Sequence, residues 1–343
     1  MTDRITVCAL FVAAVVTNTT SIVERHIELF KDKKWGYLLA RDIETFDRLA
    51  VRYGNQDTME LLLSSDNPTG IDEARRNSMF VEAAAQGNLP LVQFIHDFRW
   101  SAVSWDFKNR KKRYGTKLAF KQALETPSRE VWDFIIEKRQ EHKVHETVSH
   151  GTKTQGLATC VLQGGETAMI EHLLDLGTDI DGRDSSGSPS GMQGRRPVLD
   201  ACLYGDEDIV KLLVARGADT SSAVAVAAAR GHTRIVQFLL EHGADPFGGL
   251  LRAVERGYMD IVRILLEAGV DAGETDDGPK YRGLAPTRLS TVPIACAIAL
   301  EHVQMAKLLK EKGARIDGES REECFRVARD DGLESMLMLL EEW

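Results

Sequence analysis

Residues Val226 to Leu240, VAAARGHTRIVQFLL, decide how this chain folds. Val226 to Arg230 is a short alanine-rich helix, and Gly231 is the residue able to take the left-handed conformation that ends it. His232, Thr233 and Arg234 turn the chain. Ile235, Val236, Leu239 and Leu240 then recur at the spacing that puts apolar side chains on one stripe of a second helix. Two short helices joined by a glycine turn cannot bury that stripe alone, so the segment reads as one unit of a repeating structure.

The same pattern recurs in AVERGYMDIVRILLEAGVD (253–271), ACLYGDEDIVKLLVARGADT (201–220) and VLQGGETAMIEHLLDLGTDID (161–181). With the turn residue as anchor, equivalents fall at Asn18, Gly54, Gly87, Pro127, Gly165, Gly205, Gly231, Gly257, Glu301 and Asp331. Successive anchors are 36, 33, 40, 38, 40, 26, 26, 44 and 30 residues apart, so ten helix-turn-helix units span the chain. The expected fold is all-α, a solenoid of stacked helix pairs whose small inner helices approach closely. It divides into degenerate repeats over 1–150, the best-matched repeats over 151–271, an insertion at 272–291, and final repeats with a cap over 292–343. In the cap, Met336, Leu337, Leu339 and Leu340 face inward. Phe11, Ile22, Val23 and Ile27 take that part at the other end.

These units resemble the ankyrin repeat family over essentially the whole length, most strongly from Gly156 to Asp271. The family's T-P-L-H-x-A opening is degraded; Arg196-Pro197-Val198-Leu199-Asp200-Ala201 and Val292-Pro293-Ile294-Ala295-Cys296-Ala297 keep the proline and the apolar residue after it. The resemblance implies a concave side formed by inner helices and projecting finger loops, across which partners bind. Two fingers, Gly217–Ser222 and Gly243–Gly248, are reduced to tight turns, and the long insertions 178–195 and 272–291 flank them. Long, short, short, long describes a notch.

Helix phase places the residues five, two and one before each anchor on one face of the inner helix. Around the notch these are Asp200, Leu203 and Tyr204; Val226, Ala229 and Arg230; Arg252, Glu255 and Arg256; and Cys296, Ala299 and Leu300. Arginine pairs with carboxylates through two parallel hydrogen bonds and stacks on aromatic rings, so Arg230, Arg252 and Arg256 point to an acidic or carboxylate-bearing ligand. The bland reading is a solvated face with Asp200 to Arg252 ion pairs.

The chain of 343 residues is 43% hydrophobic and 28% charged, which excludes disorder, and no apolar run reaches the roughly 18 to 20 residues of a membrane span. Its net charge of -9 disfavours nucleic acid. Five scattered cysteines, Cys8, Cys160, Cys202, Cys296 and Cys324, form no C-x-x-C pair, so neither a disulfide framework nor a zinc module is expected, and a reducing, cytoplasmic setting follows. Ile5 to Val16 is apolar enough for a secretory signal and an N-x-T sequon stands at Asn18, but Asp3 offsets Arg4 and the segment fits the first repeat. The basic run Lys108 to Arg113 is a solvated loop, a nuclear-import signal or a local anion patch.

His142 and His145 lie one helical turn apart without an H-E-x-x-H motif, so no metal site is assigned. The glycines of 182–194 lack phosphate-loop spacing, and no catalytic triad order is present. No cofactor is expected. The leading expectation is a non-enzymatic module that binds a protein partner through its concave face and the notch. The alternative is a small-molecule binder or cofactor-independent enzyme of the isomerase or cyclase type at the same place. There Asp200 or Glu255 would be the base, Tyr204 the acid, and the arginines would stabilise an enolate or carboxylate, with Cys296 in the lining.

Overall fold

The computed structural model describes residues 10, 12–30, 49–53, 56–63, 73–99, 118–141, 148–182, 196–273, 292–316 and 318–343. These residues are helical with intervening turns, and no strand occurs among them. The chain divides into two compact units, Met1–Gly194 and Arg195–Trp343.

The N-terminal unit contains α1 (Thr20–Phe30), α2 (Gln56–Leu63), α3 (Glu73–Ala85), α4 (Leu89–Arg99), α5 (Arg129–Glu141), α6 (His150–Leu162) and α7 (Thr167–Asp175), with further helical turns at 12–16, 49–52 and 118–123. Its interior is made of large side chains. Phe80 meets Phe120 edge to face with ring centres 5.5 Å apart, and Trp132 on α5 meets the His172 ring on α7 at 5.9 Å. Edge-to-face contacts of this kind add to the free energy of burying the ring area itself. The described part of the N-terminal apolar segment is helical, with Ala14 and Val15 buried.

Asn18, in left-handed conformation at φ 53°, donates from Nδ2 to Asp57 Oδ2 at 3.2 Å and accepts from Thr58 Oγ1 at 2.9 Å. The nitrogen of the N-x-T sequon is therefore committed to joining two successive repeats. Ile22, expected to face inward, is 40% exposed, while Val23 beside it is fully buried. Adjacent helical residues lie about 100° apart around the axis, so only one of this pair reaches the interior. Phe11 lies outside the described residues, as does the burial of Ile27.

The C-terminal unit contains five helix pairs: α8 (Pro197–Tyr204) with α9 (Glu207–Ala215), α10 (Ala223–Arg230) with α11 (Thr233–Glu241), α12 (Gly249–Glu255) with α13 (Met259–Glu267), α14 (Pro293–Ala299) with α15 (Val303–Glu311), and α16 (Gly318–Asp330) with α17 (Glu334–Glu342). The inner helices α8, α10, α12, α14 and α16 pack in series. Pro197 and Pro293 stand in the first turns of α8 and α14, where a missing N–H costs nothing. Every side chain of α10 from Ala223 to Ala229 is buried, and the Gly249 backbone comes so near α10 that a Cβ there would lie 3.0 Å from Val224 Cγ1. In the last pair Met336, Leu339 and Leu340 are buried, as expected of a cap.

Turn geometry explains the anchors. Gly87, Gly205, Gly231 and Gly257 have positive φ, and so do the non-glycine anchors Asn18 and Glu301. At the fifth and tenth turns the left-handed residue is Gly164 or Gly332, one place from the anchor expected. Gly54 lies outside the described residues.

Candidate functional site

The seven residues singled out from helix phase all lie in the C-terminal unit, and the structure sorts them into two groups. Asp200, Arg252 and Cys296 are buried, as are Val226 and Ala229, each 5% exposed. The open inner-helix face expected from phase is therefore absent at these positions. The reason is size: inner helices of only seven or eight residues, with neighbours stacked on both sides, pack on nearly all sides at once. Full exposure among these positions is confined to the residue just before a turn. Tyr204 (56% exposed), Arg230 and Arg256 occupy that equivalent position in three successive pairs, and half-buried Leu300 follows in the fourth.

Arg252 and Glu255 pair within α12, Nη1 to Oε2 at 3.0 Å, with both side chains almost wholly buried. The second carboxylate oxygen, Glu255 Oε1, is buried and makes no hydrogen bond. Burial, then the Glu255 charge, pushes the Cys296 thiol up to about 12, and Arg252 opposes that rise in part. Cys296 is therefore an inert thiol beside a buried ion pair. Asp200 and Tyr204 lie on α8 and Glu255 lies on α12, with α10 packed between the two helices. Among the described residues no group of three or more potential metal ligands converges. Cys160 and Cys202 are likewise buried and free, with thiols pushed up to about 12 chiefly by burial.

Arg230 and Arg256 differ from Arg196 and Arg252 of the same repeats. Among the described residues neither forms an ion pair. Arg196, by contrast, is spent on structure: Nη1 donates to Asp219 Oδ2 at 2.6 Å and Nη2 to the Ser221 carbonyl, which ties the start of α8 to the short link before α10. Asp219 also accepts from the Ser221 N–H at 2.9 Å. Hydrogen bonds from Ser221 first, then the Arg196 charge, hold its carboxyl below its ordinary 3.8. This brace takes the place of a finger in the shortened link.

One recurrent contact was not anticipated from the sequence. In three successive pairs the residue after the turn residue, His232, Tyr258 or His302, packs its ring on the turn glycine of the pair before it. A Cβ at Gly205 would lie 2.4 Å from His232 Cε1, one at Gly231 would lie 2.8 Å from the Tyr258 ring, and one at Gly257 would lie 3.3 Å from His302 Nε2. These glycines are thus required twice, for φ and for room. Gly231-His232, Gly257-Tyr258 and Glu301-His302 were visible, but they read as helix starts because the partner turn is 27, 27 and 45 residues away. The contact fixes successive turns against each other and so holds Tyr204, Arg230 and Arg256 in one line. Tyr258, 37% exposed, lies beside that line.

The notch walls, the basic run 108–113, His142 and His145 lie outside the described residues, apart from 178–182, 272 and 273. No described helix is long and apolar enough to cross a membrane. The family model for ankyrin repeats (3 copies) matches residues 157–249, 199–276 and 224–320. No curated protein matches the chain.

Proposed function

This is an ankyrin-repeat protein, its repeats matched over residues 157–320, and from that premise we propose that it binds an acidic segment of a partner protein along the Tyr204, Arg230 and Arg256 line. Ankyrin repeats are generally protein-interaction modules. One observation carries the finer reading: two exposed arginines without ion pairs stand at equivalent positions of successive turns, while Arg196 and Arg252 nearby are paired. Keeping a guanidinium unpaired in a protein of net charge -9 leaves a local cationic site that the total conceals. An exposed arginine loses little on desolvation and gains charge-assisted hydrogen bonds when a carboxylate arrives.

The test uses the full chain and a fluorescein-labelled glutamate-rich peptide, followed by anisotropy at low ionic strength. Reversing both charges, Arg230→Glu with Arg256→Glu, is expected to weaken binding by about tenfold or more, with unchanged circular dichroism. Arg216→Glu, an exposed arginine away from the line, should change binding little. Equal affinity in the double variant would remove the reading.

A further inference from the structure

Turn contacts and helix stacking give the line a fixed repeat distance, and that distance constrains what fits it. Arg230 ends α10 and Arg256 directly follows the end of α12, each one residue before its turn glycine, and the two helices pack directly against each other. Neighbouring packed helices are about 8 to 10 Å apart. A ligand that satisfies both guanidinium groups must therefore present carboxylates on one side at about that interval.

The backbone conformations differ sharply in this respect. A polyproline II segment has three residues per turn and rises about 3.1 Å per residue, so residues i and i+3 share one face at about 9.3 Å. A β-strand returns to one face every second residue, at about 6.6 or 13 Å, and misses the interval on either side. An α-helix returns after seven residues at about 10.5 Å, but a docked helix lays its apolar face in an apolar groove. Here the positions under the line, Val226 and Ala229, are buried and provide no such groove. What the line does provide is exposed aromatic surface, from Tyr204 at one end and Tyr258 beside it. That is the surface on which proline-rich, preformed polyproline II segments dock.

We infer that the occupant is a proline-containing acidic segment in polyproline II conformation, with carboxylates at i and i+3, one for each of Arg230 and Arg256. The inference rests on the acidic-partner reading above and adds conformation and spacing to it. The segment runs along the repeats, crossing one inner-helix end every three residues.

Peptides of equal length, each with two glutamates in a proline and serine background, separate the two readings. Their glutamates stand at i with i+2, i+3 or i+4; a fourth, helix-forming peptide carries them at i and i+7. On the full chain the i, i+3 peptide is expected to bind about fivefold tighter than its i+2 and i+4 counterparts, the gain of one further exposed ion pair. In Arg256→Ala that preference should vanish, leaving the three equal at the weaker level. Equal binding of all spacings to the unaltered chain overturns the spacing and conformation while the acidic-partner reading stands. Tightest binding by the helical peptide overturns the polyproline II conformation. No binding of any of them, or of the glutamate-rich peptide, by folded protein overturns both readings.

Discussion

In the N-terminal unit the interior includes the rings of Trp132, Phe80 and Phe120; in the C-terminal unit the inner helices meet through Ala223, Ala225, Ala227, Ala228, Ala253 and Ala297, with aliphatic side chains such as Leu213, Leu239, Leu265 and Ile294 buried beside them. The large buried aromatic rings, Trp132, Phe80 and Phe120, all belong to the first unit. Both units nevertheless repeat a helix, a left-handed turn and a second helix. Large side chains can fill the space between helices in many combinations, provided the total volume is kept, so sequences there are free to drift. Alanine at a close helix contact has no such freedom, because any larger residue forces the helices apart. That accounts for the recognisable repeats of 157–320.

The comparison predicts opposite sensitivities. Trp132→Ala is expected to lower the stability of the N-terminal unit by about 3 to 5 kcal/mol, through lost burial and the cavity left behind. Ala228→Leu should lower that of the C-terminal unit by about 1 to 3 kcal/mol, by overpacking α10 against its neighbours. Hydrogen exchange resolved to peptides reports each unit separately. If the enlarged residue is absorbed without loss, the small-residue core is not close-packed and the contrast fails.

The turns sharpen it further. Gly231→Ala forces a side chain into left-handed conformation and against the Tyr258 ring, for an expected loss of about 2 to 3 kcal/mol. Gly217→Ala, at φ 86° with nothing within 4 Å of its Cβ, should cost about 1 to 2 kcal/mol for conformation alone. Equal losses in thermal denaturation would show that ring packing on the turn contributes nothing.

The smallest effects are in pH dependence. Burial first, then the Arg129 charge, holds His172 below its ordinary 6.5. The unfolded state takes up that proton first, so the stability is complete above about pH 6.5 and declines as pH falls through the lower folded value. Asp219 has the same sign at lower pH: its contribution is complete above about 3.8 and is lost as pH falls further. His172→Gln should flatten the mildly acidic loss in the N-terminal unit, and Asp219→Asn the strongly acidic loss in the C-terminal unit. Denaturation midpoints across the range check both. A loss at mildly acidic pH that survives His172→Gln would assign it to another group.

Periodicity sufficed for the helix pairs, because an apolar stripe and a glycine stop are local properties of the residues that carry them. Gly205, Gly231 and Gly257 were legible as turns, Pro197 and Pro293 as helix starts, and Gly217–Ser222 as a tight link. Burial on the inner helices was not legible, since phase reports which residues share a face and not whether a neighbour covers it. So Asp200, Arg252 and Cys296 read as groove residues alongside Arg230 and Arg256. Stacking separates them, burying the first three and leaving Tyr204, Arg230 and Arg256 beside the turns at the surface. The pairing of Arg252 with Glu255, the packing of His232 and Tyr258 on the preceding turns, and hence the line of exposed cations depend on contacts between residues distant in sequence. Such contacts exist only once the helices have packed.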